Sequence, residues 1–533
     1  MMVNLTIDNQ PISVPEGTSV LHAARELGVT IPTLCHVDGY KPQNSCLLCL
    51  VRVNGSPRLK PACSLTATEG MVIDSEDDSV RAARRTAVEL LLSDHAGDCL
   101  APCQNNCPAH MDVPKMMRQI IAGDLRGAVE TVKQDIPLPA VLGRICPAPC
   151  EGGCRRKASD APVAVCLLKR YVADMDLAGG DPLLPRRAAA THRRVAIIGS
   201  GPTGLSAAYY LQLHGHRCTI FDAGAEPGGA MRSHIPEHVL PRDVLDAEID
   251  IIRRLGTMFE MNHPVPDAKA LDQLRQKFDA TLLAVGGIEA LPDFGVAQTK
   301  RGVSIDGRTF QTSKPDVFAA GGAVRKSRLA VRSVAEGKLA AECIDRYLTG
   351  RAPEPVESAA NASMGKLDER ELIDFMLEAD EHERITPEGG LKRGFTAEEA
   401  VIEAGRCMQC SCAGGDDCGI RQIAASLGAD LSRYRGVRRA YRPIQRAGGV
   451  VFEPGKCIAC GLCVEAVRRR ATVGLTLVGR GFDVQLAVPF GQALDQGLGA
   501  AAAEAVRVCP TAALRFDTAC EQFTPLTASA HGN

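Results

Sequence analysis

The 22 cysteines of this 533-residue chain, most of them bunched at short spacings, restrict its possible folds more than any other feature. The first residues, Met1 to Val14, lack the basic and then apolar layout of a secretory signal. Instead Val3-Asn4-Leu5-Thr6-Ile7 alternates as a first strand would. No run approaches the roughly eighteen apolar residues that a membrane-spanning helix needs. A cytoplasmic chain is therefore expected, in which thiols stay reduced and grouped cysteines hold metal rather than disulfides. A formal net charge of -2 gives no electrostatic case for nucleic acid or an anionic membrane. The length calls for three or four domains, and a hydrophobic content of 45% suits a soluble globular protein.

Five segments follow from the spacing of strands, turns and cysteines. Residues 1–78 read as short strands and turns, and 79–180 as a helical domain with two cysteine groups. Residues 190–350 hold a strand–glycine turn–helix unit. Residues 351–435 form a linker and charged helical stretch ending in four cysteines, and 436–522 a last small cysteine domain. The expected class is multidomain α+β and α/β: a β-grasp ferredoxin-like domain, a helical double-cluster domain, a Rossmann-type domain and a C-terminal ferredoxin-like domain.

Cys35, Cys46, Cys49 and Cys63 place three thiols in one loop and a fourth returning from further on, a plan that can hold a [2Fe–2S] unit. A four-cysteine zinc site has the same composition. The flanking Ser19-Val20-Leu21-His22-Ala23-Ala24, Ile31-Pro32-Thr33-Leu34-Cys35 and Gly70-Met71-Val72 resemble the N-terminal [2Fe–2S] domain of the large iron–sulfur subunit of complex I and of hydrogenase diaphorase subunits.

Next come Cys99, Cys103, Cys107, Cys146, Cys150, Cys154 and Cys166. Cys107-Pro108-Ala109, Gly143-Arg144-Ile145-Cys146-Pro147 and Cys150-Glu151-Gly152-Gly153-Cys154-Arg155-Arg156 are similar to the helical domain of the glutamate synthase small subunit and of dihydropyrimidine dehydrogenase. That resemblance implies two [4Fe–4S] clusters with interleaved ligands. It would put His95, Cys99, Cys103 and Cys154 on one, and Cys107, Cys146, Cys150 and Cys166 on the other. His95 is either the eighth ligand or a surface histidine ending a helix, and Cys166 either a ligand or an inert buried thiol.

Cys407, Cys410, Cys412 and Cys418 lie within twelve residues and read as one further set, for a [4Fe–4S] cluster or zinc. Cys457, Cys460 and Cys463 follow the bacterial ferredoxin spacing, with Val467 where a fourth cysteine would stand and the distant Cys509-Pro510 completing one [4Fe–4S] site. Cys218, Cys343 and Cys520 are left as ordinary residues.

Arg194 to Ile198 is an apolar strand running into Gly199-Ser200-Gly201-Pro202-Thr203-Gly204, with a helix after it and Asp222 ending the next strand. Gly199 permits the tight turn, Gly201 lets backbone approach a pyrophosphate, Gly204 allows close helix–strand packing, and Asp222 can bond a ribose hydroxyl. Gly228-Gly229, Ile235-Pro236, Leu240-Pro241 and Val317 to Gly322 resemble the flavin domain of the glutamate synthase small-subunit family, which implies FAD with Gly229, Gly321 and Gly322 beside it. Two departures stand out. The closing strand ends Gly321-Gly322 where the family has Gly-Asp. Only the short stretch Ile288 to Lys300 stands where relatives insert a nicotinamide domain, too little for even one strand–helix–strand unit.

The expectation is an iron–sulfur flavoprotein subunit of a multisubunit oxidoreductase, relaying electrons through FAD, one [2Fe–2S] and about four [4Fe–4S] clusters. Partners would be an NADH-oxidising flavin subunit, or a metal-dependent dehydrogenase, hydrogenase or 2-oxoacid oxidoreductase subunit. A stand-alone enzyme reducing a small substrate is the alternative. It would need an acid or base near the flavin, for which His234, Glu237 and His238 are candidates, though histidines there also suit a solvated surface.

Overall fold

The computed structural model describes residues 1–517 apart from 287–290, 327–328, 355–359, 378, 413, 416–417, 435, 437, 440, 469 and 471–472, and apart from the side chain at 482. Gly287 and Cys520 lie outside the described residues. The chain forms two compact units that interleave in sequence. One comprises 1–100, 357–375 and 411 onwards; the other comprises 101–356 and 376–410.

The first unit opens with a hairpin, β1 (Met2–Ile7) and β2 (Gln10–Pro15). Its two turn residues, Asp8 and Asn9, both take positive φ, as a two-residue hairpin turn requires. Helix α1 (Val20–Glu26) starts where the Ser19 side chain accepts from the His22 amide. Strands β3 (Leu50–Val53), β4 (Leu59–Pro61) and β5 (Met71–Asp74) complete a sheet of order β2-β1-β5-β3-β4, with β1 and β5 parallel. Alternate residues Leu5, Ile7, Val51 and Ile73 bury against Leu21 and Ala24 of α1. Helix α2 (Asp78–Ser93), capped by Asp77, leads to His95. Later in the same unit, Gln445–Ala447, Val450–Phe452 and Leu514–Phe516 pair antiparallel, joined in one core by the helices Leu462–Arg468 and Ala502–Arg507.

The second unit begins with six helices: α3 (Pro102–Asn106), α4 (Val113–Ile121), α5 (Leu125–Asp135), α6 (Pro139–Ile145), α7 (Pro149–Gly153) and α8 (Val165–Ala178). Proline opens α3, α6 and α7, where its missing N–H costs nothing. Cys107, Cys146 and Cys154 sit at the extended C-caps of these three short helices, so each thiol leaves the chain where the helix stops.

The remainder is an α/β layer. It comprises β6 (Arg194–Ile198), α9 (Pro202–Leu213), β7 (Arg217–Phe221), α10 (Ala230–Ser233), α11 (Arg242–Arg254), β8 (Met258–Glu260), α12 (Ala268–Arg275) and β9 (Ala280–Leu283). A small hairpin of β10 (Gln298–Thr299) and β11 (Gly302–Val303) precedes β12 (Val317–Ala319) and α13 (Ala330–Leu348). The sheet is wholly parallel in the order β12-β9-β6-β7-β8, so the order reverses between β6 and β9. Dinucleotides bind at such a reversal, and Gly199 follows β6 there. Among the described residues this is the only five-stranded parallel sheet, and the β10–β11 hairpin precedes its last strand. No helix is long and apolar enough to cross a membrane among the described residues.

Candidate metal centres and dinucleotide site

The cysteines of the first unit converge as three sets. Cys35, Cys46, Cys49 and Cys63 are all buried, the first three on a loop of irregular backbone that uses positive φ at Asn44 and Leu47 and the fourth just after β4. The Cys35 and Cys46 sulfurs stand 3.3 Å apart. The hydrogen bond from Cys46 holds the Cys35 thiol down to about 5, and that from Cys63 holds Cys49 down to about 7. Thiols so placed give up protons readily to a metal.

The second set combines His95 and Cys99, just past α2, with Cys412 and Cys418 from more than 300 residues later. All four line one apolar hollow. Backbone pairing builds it: Asp98 bridges Ser411, and the Cys412 amide donates to the Asp98 carbonyl at 2.8 Å. The Ala362 amide donates to the Cys99 sulfur at 3.3 Å and the Gly414 amide to the Cys412 sulfur at 3.4 Å, bonds that favour a thiolate. Burial, reinforced by the Lys456 ammonium, pushes the His95 imidazole down to about 4, so it is neutral and able to ligate. A surface histidine it is not.

The third set is Cys457, Cys460, Cys463 and Cys509, lining a second apolar hollow. The Ala459 and Leu514 amides each donate to a sulfur, Cys457 and Cys509 respectively, at 3.4 Å. Val467 is fully buried in the adjacent core, so the missing fourth ferredoxin cysteine is replaced by a packing residue.

The second unit holds two more sets. Cys103 feels Cys407, Cys410 and Cys154 as its strongest thiol neighbours, after burial, which pushes its own thiol well up. Gly153 lets α7 lie against α3: a Cβ there would meet the Pro102 carbonyl at 2.7 Å. The other set is Cys107, Cys146, Cys150 and Cys166. The hydrogen bond from Cys166 holds Cys146 down to about 7, while burial pushes Cys150 up to about 12. Lys169, one helical turn after Cys166, is buried with its ammonium facing all four of these thiols.

The grouping corrects two expectations. The four cysteines of 407–418 are not one set: Cys407 and Cys410 join Cys103 and Cys154, while Cys412 and Cys418 join His95 and Cys99. For the same reason Cys99 and Cys103 part company. The short loop encodes nearness along the chain, whereas the Asp98–Ser411 pairing decides nearness in space.

At the dinucleotide turn, Gly199 takes φ +110°, and a Cβ on Gly204 would lie 1.9 Å from the Gly199 carbonyl oxygen. Gly201 caps α9, whose N-terminus is opened by Pro202, and an added Cβ on Gly201 would meet nothing, leaving room for a phosphate. Gly229, at φ +51°, packs on Gly201. Asp222 turns one carboxylate oxygen to the Ser200 amide and hydroxyl, 2.6 Å each, and the other to the Gly224 amide at 2.8 Å. It therefore shapes the loop itself, and its remaining lone pairs are what a ribose could use. Thr203 lies under Gly321, which has φ +65°. Gly322 follows with no side chain, and nearby Glu336 accepts from the Gly321 amide at 3.0 Å and from Arg325. The residues present fit a dinucleotide whose pyrophosphate meets α9. Sequence reasoning missed Glu336, Lys169 and Lys456; the lysines' places three residues after Cys166 and one before Cys457 were the available signal. His234, Glu237 and His238 are all exposed.

Three family models match stretches of the chain. Residues 1–78 match a 2Fe-2S iron–sulfur cluster binding domain, residues 86–180 match the 4Fe-4S domain II of dihydropyrimidine dehydrogenase, and residues 197–260 match an NAD(P)-binding Rossmann-like domain. The chain is a mosaic of iron–sulfur and Rossmann domains. Relatives include the beta subunit of an NADPH-Fe(3+) oxidoreductase from Geobacter sulfurreducens, 31% identical over 67% of this chain and 56% of the relative. The beta subunit of an NADP(+)-dependent formate dehydrogenase from Moorella thermoacetica is 38% identical over 38% of this chain and 31% of its own. The NAD-dependent dihydropyrimidine dehydrogenase subunit PreT of Escherichia coli is 38% identical over 37% and 49%. The mosaic thus spans about half, or less, of the curated relatives it matches.

Proposed function

We propose that this chain is an electron-transfer subunit of a multisubunit oxidoreductase, holding FAD, one [2Fe–2S] and four [4Fe–4S] clusters. The observation that carries the reading is that twenty candidate ligands gather as five groups of four in a chain that also holds one parallel α/β fold. Bound clusters would pass single electrons, and FAD would exchange them for pairs.

The chain's own residues supply the rest. Thiolates of Cys35, Cys46, Cys49 and Cys63 would hold the two-iron unit. The amides of Ala362, Gly414, Ala459 and Leu514 hold negative charge on the sulfurs they reach. Buried Lys169 and Lys456 offset charge that the clusters would bring into apolar surroundings. The α9 N-terminus, Gly201 and Gly229 would take the pyrophosphate of FAD. A partner subunit would supply the donor or the acceptor. The relatives' names point to an NAD(P)H-oxidising or formate-dehydrogenase type of partner, and cytoplasmic placement follows from reduced thiols.

Anaerobic purification of the native complex, with iron and sulfide analysis, tests the reading. About eighteen irons per chain, FAD, and co-purifying redox subunits are expected. A colourless chain without acid-labile sulfide, or tight NADH binding with unaided flavin reduction by the isolated chain, would overturn it.

A further inference from the structure

Beside the two-iron loop, and sharing none of its four cysteines, three other side chains converge. His22 on α1 places Nε2 3.0 Å from Asp38 Oδ1, and His36 Nδ1 lies 3.9 Å from the same oxygen. One donor atom from each of the three lies within 4.8 Å of the others. A tetrahedral ion with bonds of about 2.0–2.2 Å separates its ligands by roughly 3.3–3.6 Å, and the two observed spacings bracket that range.

His36 makes the group more than a surface ion pair. Its side chain is 4% exposed, and its Nδ1 has no hydrogen-bond partner. A buried unpartnered nitrogen is costly, and an ion is one of the few things that explains it. His22 is prepared in the complementary way: its Nδ1 stands 2.7 Å from the Ser19 hydroxyl. When Nδ1–H donates there, Nε2 keeps its lone pair, the outer-shell arrangement usual for a ligating histidine. Arg25 also bonds Asp38 Oδ1, at 2.8 Å. Its side chain is 41% exposed and can swing into water when a cation arrives.

We propose that His22, His36 and Asp38 bind a divalent transition ion, zinc by ligand type, with water completing the shell. The ion would tie α1 to residues 29–49, which contain no helix or strand and carry three of the four cysteines of the two-iron set. The site does not depend on the iron–sulfur reading, since none of its ligands is a cysteine.

The test is zinc stoichiometry by elemental analysis after equilibrium dialysis of the full chain, purified anaerobically, against micromolar free Zn²⁺. His22→Gln and Asp38→Asn alter exposed side chains and leave the buried His36 in place. Wild type should retain one zinc per chain more than either variant, at unchanged iron content. Ser19→Ala should weaken zinc binding by about tenfold. Equal zinc in wild type and both variants, with iron unchanged, would overturn the proposal. Should a variant lose iron, the Ser19→Ala affinity decides: no weakening there would overturn it equally.

Discussion

The ammonium of Lys456 faces the sulfur of Cys412, while its own backbone adjoins Cys457. One buried cation therefore serves the His95 set and touches the ferredoxin-type set by sequence. Gly97 makes the room: a Cβ there would stand 3.1 Å from the lysine Cε and 3.2 Å from His95 Nε2. Gly455 likewise lets the backbone press on Ala96, since its Cβ would lie 2.3 Å from the Ala96 carbonyl. Glu453 pairs with Lys456 but is shared with Arg515, so the trio keeps a net positive charge. Removing the cation in Lys456→Met should make the His95-set cluster harder to reduce. At an effective dielectric of about 20 and a separation of about 6 Å the drop in midpoint potential is on the order of 100 mV. Lys456→Arg should restore most of it. A redox titration followed by EPR reads both, and an unchanged potential in the methionine variant would remove the electrostatic role.

Splitting 407–418 between two sets makes a second expectation. Cys407→Ser should perturb the spectrum of the cluster shared with Cys103 and Cys154. Cys412→Ser should perturb the one shared with His95 and Cys99. Each variant should lose up to about four irons, and the two lost EPR components should differ. Identical losses from both variants would mean that the loop serves a single site.

Much of this was legible because the signals are local. A glycine turn between a strand and a helix, or cysteines three apart, is specified by a dozen residues, and the β6–Gly199–α9 unit and the Cys457 run stand as such. What escaped is set by pairing over long distances. No spacing rule links Cys99 to Cys412, which depends on the Asp98–Ser411 bridge. Adjacency to Cys166 and Cys457 is the one hint that Lys169 and Lys456 are buried, since lysine is ordinarily a surface residue. His22, His36 and Asp38 are brought together by the same irregular loop, which no periodicity describes.

Glu248 on α11 gives a pH prediction. It is fully buried and accepts from the Ala140 and Val141 amides at 2.7 and 2.8 Å, capping α6 from another helix. Burial outweighs those bonds and pushes its carboxyl from 4.5 up to about 7. With the folded value raised, the unfolded chain releases its proton first as pH climbs. The group's stabilisation is complete below pH 4.5, declines through about pH 7 and is flat above, an effect of order 3 kcal/mol. In Glu248→Gln that part of the pH dependence should vanish, so the stability of wild type relative to the variant should fall between pH 5 and pH 8. Thermal unfolding across that range checks it; parallel curves for the two proteins would contradict the assignment.

The dinucleotide site can be separated from the metal sites by a steric argument. A Cβ on Gly321 would lie 2.1 Å from Thr203 Oγ1, an impossible overlap, and φ +65° adds about 1–2 kcal/mol of strain for alanine. Gly321→Ala should therefore displace Thr203 and empty the FAD site while the iron content stays at the wild-type level. Thr203→Ala removes the overlapping hydroxyl but not the backbone strain, so the double variant should recover part of the flavin that Gly321→Ala loses. Flavin released by denaturation, measured against iron in the same sample, gives the ratio directly. Non-additivity of this sign is expected only of residues in contact; additive losses would mean that Gly321 acts on the flavin through something other than Thr203.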